Sequence, residues 1–315
     1  MTSEKEQVES TNLFSLCQNN ILDVLVYFEA FNHPLRIEEI LNNCSVKYSV
    51  DKTTTALSKL VDDEILFEFD GFFSLKPGVN ILVNERLEKE RHADRLFSKS
   101  AAYIRIIKSM PFVQAIAISG SMSKGVSHSK GDIDYFIITD RNRLWLARTL
   151  LILFKKVFLF NSRKFFCVNY FVDLDNFIVP DENIFTATEI AYLIPVYNSQ
   201  LLDKFKSSNK WIEAYYPHFD HPIKRKEFTN SNKGKNVIKF LLKGMIGNAL
   251  EEKCMQLTIK RWARKFPDFD PIKFELTMRS RQGVSKHHPR DFQNIVLNKI
   301  AESKRKLYPP STTKL

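Results

Sequence analysis

The sequence predicts an α+β protein in three parts, on three observations. Residues 1–80 repeat helical hydrophobic spacing and then give two alternating runs joined by Asp70-Gly71. Residues 113–118 and 135–138 are short apolar runs flanking a Ser-Gly-Ser turn and an Asp-Ile-Asp triplet. Residues 201–315 read as mostly helical and basic, with 25 Lys and Arg against 11 Asp and Glu. At 315 residues the chain has room for about two domains of ~100–200 residues each. Its 44% hydrophobic content supports sizeable cores and excludes disorder of the whole chain.

In the first part, Ile21, Val24, Leu25 and Phe28 recur at helical spacing and predict a helix over 13–30. Pro34 punctuates before a short helix at 37–41. A third helix takes Ser49 or Asp51 as N-cap and sets Leu57, Leu60 and Val61 on one face. The following ILFEFDGFFSL reads as a hairpin, because Asp-Gly suits the positive φ angles of a type I′ turn. Three helices and a hairpin in this order resemble a winged-helix module, placed at 1–82, with a linking helix at 83–110. Residues 1–80 hold 13 acidic and 6 basic side chains, a net of −7 that repels phosphates. Packing or protein contact is therefore the expected role, and DNA is not an expected partner.

The chemistry is concentrated in FVQAIAISGSMSKGVSHSKGDIDYFIIT. Alternate side chains of a strand share a face, so Asp132 and Asp134 point the same way while Ile133 points to the core. Two carboxylates ~7 Å apart along a strand suit Mg²⁺ or Mn²⁺, which take a few carboxylates together with phosphate oxygens. Gly120 lets the backbone approach a triphosphate, Ser119 and Ser121 flank it with hydroxyls, and Lys124 adds a positive charge. His128 reads as a solvated loop residue.

With SGS at 119–121 and GDIDYFII at 131–138, the chain resembles the polymerase-β-like nucleotidyltransferase superfamily. The resemblance implies a core at 111–180, a short mixed sheet flanked by helices. It also implies transfer of a nucleoside monophosphate from a nucleoside triphosphate to an acceptor, with release of pyrophosphate. Asp132 and Asp134 would hold the metal, and Ser119, Gly120, Ser121 and Lys124 would hold the triphosphate. Such sites usually carry a third carboxylate on the next core strand, expected within KFFCVNYFV or just beyond. Asp173 is the leading candidate for this catalytic position, with Asp175, Glu189 and a position degraded to Asn169 as alternatives. If the third carboxylate is lost, the alternative is a non-catalytic nucleotide-binding or adaptor protein.

Residues 181–315 are expected to form a helical, basic C-terminal domain. Glu189, three residues after Thr186, reads as a capping box opening the helix in NIFTATEIAYLIPVYN. His218 and His221 are spaced for a metal but flanked by Pro217 and Pro222, which favours a loop. His287 and His288 read as solvated surface among Lys286, Arg281 and Arg290. A long helix at 236–266 sets Leu250, Cys254 and Leu257 towards a core, with Lys260, Arg261 and Arg264 as a basic wall of the cleft. Without aromatic and basic residues interleaved as in single-strand binders, a small-molecule or protein acceptor is favoured over RNA. Cys17, Cys44, Cys167 and Cys254 are expected as buried free thiols. No apolar run reaches the ~18 residues of a membrane span and no signal peptide is visible, so a cytoplasmic protein is expected.

Overall fold

The computed structural model describes residues 2–162, 164–225, 227–228, 239–242 and 244–308. It is α+β and divides into two compact units. One comprises Met1–Glu88, Trp211–Asp220 and Gln293–Leu315, the other Lys89–Lys210 and His221–Phe292.

The first unit begins with α1 (Thr2–Glu29), β1 (Leu35–Arg36), α2 (Ile37–Asn43) and α3 (Val50–Asp62). Ser49 caps α3 by accepting from the Lys52 N–H. Leu57 and Leu60 are buried as their spacing predicts, together with Ala56, while Val61 is only half-buried. β2 (Phe67–Phe69) and β3 (Phe72–Ser74) form the hairpin, with Phe69 opposite Phe72. Asp70 and Gly71 have φ of 52° and 74°, as the Asp-Gly pair requires. β1 pairs with β3 as well, a strand that the punctuation at Pro34 conceals. The sheet is fastened to α4 (Val79–Ser109), whose first residues belong to this unit, through Arg86. This buried guanidinium grips both oxygens of Glu39 at 2.7 and 2.5 Å and also donates to the Pro34 carbonyl. Its carbon lies 5.0 Å from the centre of the Phe72 ring.

The second unit is built on a mixed sheet. Its strands are β4 (Val113–Ser119), β5 (Asp134–Thr139), β6 (Cys167–Asp173), β7 (Ile194–Tyr197), β8 (Ser280–Arg281) and β9 (Val284–Lys286). Among the described residues the order is β7-β4-β5-β6-β9-β8, with β5 and β6 parallel and the other neighbours antiparallel. α5 (Leu144–Phe158), α6 (Ile184–Ala191), α7 (Ser199–Ser207), α8 (Met245–Lys265) and α9 (Pro271–Met278) accompany the sheet, and α10 (Phe292–Leu307) lies almost wholly in the first unit. Fully buried Tyr135, Trp145, Phe166 and Phe171 centre the core, where truncating an aromatic costs roughly 3–5 kcal/mol. Glu251 of α8 accepts from the Trp145 and Leu146 N–H groups, both at 2.8 Å, satisfying donors left free at the start of α5.

The sheet overruns the expected boundary at residue 180, and 181–315 is not purely helical. The run expected as one helix through 198 ends at Ala191 and gives β7, whose Pro195 is tolerated because β7 is an edge strand. Gly283, with φ of 74°, turns β8 into β9. Of the helix expected over 236–266, residues 236–238 and 243 lie outside the described residues, and α8 begins at Met245. No helix among the described residues is long and apolar enough to cross a membrane.

Candidate metal and phosphate site

Asp134 opens β5 directly opposite Ser119, the last residue of β4. Ile133 is fully buried while Asp132 and Asp134 are half-buried, which is the alternation expected of the triplet. Cys167, the first residue of β6, is the register partner of Asp134. A ligand atom from each of Asp132, Asp134 and Cys167 lies within 4.8 Å of the other two.

Beside them β6 bulges. Val168 pairs with Tyr135 and Tyr170 with Phe136, leaving Asn169 as the extra residue. Its amide donates to Asp134 Oδ1 at 2.9 Å and lies 3.0 Å from Cys167 Sγ. Asn169 thus meets Asp134 from the neighbouring strand with an amide, not a carboxylate.

Burial first, and then the charge of Asp132, push the Asp134 carboxyl up to about 7, against the pull of its hydrogen bonds to Cys167 and Asn169. Burial and the same two aspartates raise the Cys167 thiol, so it is held protonated.

Gly120 completes the constellation. Its φ is +67°, and a Cβ there would stand 2.7 Å from Asp134 Oδ2. Backbone and carboxylate approach this closely only because the side chain is a hydrogen. Gly120–Lys124 forms a short 3-10 helix in which Ser123 donates to the Gly120 carbonyl at 2.8 Å, while Ser121 is exposed. The Lys124 ammonium stands 2.6 Å from Glu189 Oε1 and 3.3 Å from the Gly120 carbonyl.

Asp173 is not brought to this site. It pairs with Thr139 at the far end of β5, about 17 Å along the strand and on the opposite face. Its buried carboxylate caps a turn instead, accepting from the N–H groups of Asn142 and Asp175 and from the Asn176 amide. Parallel pairing is the reason, since it sets the start of β6 beside the start of β5. Asp175 makes a surface ion pair with Arg141 at 3.0 Å.

Glu189 is no capping-box residue either. α6 is capped by Asn183, which accepts from the Thr186 N–H, so Glu189 is free to face Lys124. His221 is held by the Tyr192 carbonyl at the end of α6 and by the Ile223 N–H of its own loop. His288 is not solvated surface. Burial, and then the Lys286 charge, lower it to about 4, and its ring lies edge-on to Tyr170. Lys286 is itself buried against Asp181, which Arg279 also grips at 2.8 and 3.1 Å. Lys260, Arg261 and Arg264 are exposed and line a shallow basic depression beside Leu257.

Sequence reasoning missed Cys167 as a neighbour of the carboxylates. The signal was present in KFFCVNYFV, where Cys167 and Asn169 are two apart in an apolar run, as Asp132 and Asp134 are around Ile133.

Comparison of the chain with protein-family models, with curated proteins and with solved structures gives no match.

Proposed function

We propose that the chain is a divalent-cation-dependent nucleotidyltransferase of the polymerase-β-like kind, moving a nucleoside monophosphate from a nucleoside triphosphate to an acceptor. The observation that carries this reading is the contact of Gly120 with Asp134. A left-handed glycine without room for a Cβ abuts the second of two converging carboxylates, joining a glycine turn to a metal-suited pair.

The donor set fits a hard cation. Asp132 and Asp134 offer carboxylate oxygens, and Asn169 steadies Oδ1 of Asp134. The protonated Cys167 thiol is a poor ligand for Mg²⁺ or Mn²⁺, so the two aspartates would hold the ion. When bound, such an ion neutralises phosphate charge and polarises the phosphoryl oxygens. The Ser121 hydroxyl and the turn's backbone N–H groups would orient the phosphates, and Lys124 would add a cation. In this reading the helices and hairpin of the first unit form a winged-helix-like module whose acidic surface serves protein contact.

Asn169 favours a second reading, a nucleotide-binding or adaptor protein without transfer, because an amide cannot accept a proton as a carboxylate does. Two measurements separate the readings. Stabilisation by triphosphate with Mg²⁺, lost in Asp132→Asn, tests binding. Labelled nucleotides offered to pooled small-molecule, RNA and protein acceptors test transfer. Binding without transfer to any pool supports the second reading, and absence of Mg²⁺-dependent binding overturns the transferase and the nucleotide-binding readings alike, leaving the adaptor.

A further inference from the structure

The Lys124–Glu189 pair lies at the turn itself. Lys124 is the last residue of the 3-10 helix that begins at Gly120, and its ammonium contacts both the Gly120 carbonyl and Glu189. That glycine in turn abuts Asp134. The lysine side chain is only 12% exposed, so it cannot swing far from the turn, whereas Glu189 is 31% exposed and has a path to solvent. The Lys124 ammonium also lies 5.4 Å from the centre of the Tyr192 ring. With Asp132 and Asp134 alongside, a triphosphate entering here would meet three carboxylates. Of these, Glu189 is the one that spends its charge on Lys124.

Taking the turn as the triphosphate cradle proposed above, we infer that the Lys124–Glu189 ion pair is an internal latch. Glu189 occupies the lysine in the free protein, and the triphosphate must displace it to gain that cation. Glu189 is then a residue that sets affinity by holding Lys124 back, and it makes no favourable contact with the phosphates. The latch discriminates by charge, since a ligand with several adjacent phosphate charges competes better than a monophosphate.

The test is a double-mutant cycle on the full chain, read by calorimetric binding of magnesium tripolyphosphate and of the four ribonucleoside triphosphates. Glu189→Gln should tighten tripolyphosphate binding by about two- to fivefold, as the worth of a partly exposed ion pair implies. Lys124→Gln should weaken binding, and in its background Glu189→Gln should have no further effect. Unchanged or weaker binding in Glu189→Gln overturns the latch. So does equal tightening in both backgrounds, which would mark general charge repulsion instead. Glu189→Gln alone decides the sign, so a misfolded Lys124→Gln protein leaves that comparison standing. Failure of wild type to bind any of these ligands overturns the cradle reading too, a result distinct from wild-type binding that Glu189→Gln leaves unchanged.

Discussion

Asp134→Asn should make the metal-free protein more stable, and by an amount that grows with pH. Burial and Asp132 hold the folded-state carboxyl at about 7, while an unfolded aspartate titrates near ~4. Below about pH 4 the group is protonated in both states and costs nothing. Between about 4 and about 7 the unfolded chain gives up the proton that the folded state retains, so wild-type stability falls as pH rises. Above about 7 the cost is complete. A shift of about three pH units at ~1.36 kcal/mol each sets a ceiling of roughly 4 kcal/mol. Asparagine keeps an acceptor for Asn169, and the value of about 7 already includes the pull of the Cys167 and Asn169 hydrogen bonds, so nothing further is subtracted for them. A gain of up to roughly 4 kcal/mol near pH 8, vanishing towards about pH 4, is expected. Denaturant unfolding in a chelating buffer, followed by the fluorescence of Trp145 and Trp262 in the second unit, measures it. A variant less stable than wild type at high pH, or a gain independent of pH, would refute the electrostatic reasoning. Adding Mg²⁺ and triphosphate should reverse the order, stabilising wild type alone.

Other perturbations separate site from scaffold. Gly120→Ala places a Cβ 2.7 Å from Asp134 Oδ2 at a φ of +67°, so it should cost about 1–2 kcal/mol and abolish Mg²⁺-dependent triphosphate binding in calorimetry. Asp173→Asn weakens a buried turn and should lower stability by roughly 1–3 kcal/mol while leaving that binding intact. Loss of binding in a folded Asp173→Asn protein would return this residue to the site. Asp181→Asn leaves Arg279 and Lys286 without their buried counter-ion and should cost about 3–5 kcal/mol by denaturant unfolding. Arg279 and Lys286 outweigh burial and hold the wild-type Asp181 carboxyl below the usual range. Its contribution is therefore present at neutral pH and lost as pH falls through the folded-state value.

Features legible in the sequence depend on residues close along the chain. The Asp132-Ile133-Asp134 alternation, the Asp70-Gly71 hairpin and the amphipathic α3 need only the pleat of a strand, the freedom of a glycine or the turn of a helix. The neighbours of the carboxylates were decided by tertiary structure. Parallel pairing of β5 with β6 and the bulge at Asn169 bring Cys167 and Asn169 to Asp134 and carry Asp173 to the other end and face. A period-2 pattern does not specify which strand lies alongside, nor in what register, and a single extra residue reassigns the faces beyond it. β7, β8 and β9 are too short to show a period of their own and exist because the sheet offers them edges. Glu189 followed the same logic: its local spacing suited a helix cap, but Asn183 took that role, and the fold carried Lys124 across 65 positions to meet it. Local chemistry selects which side chains can act, and long-range register selects which of them meet.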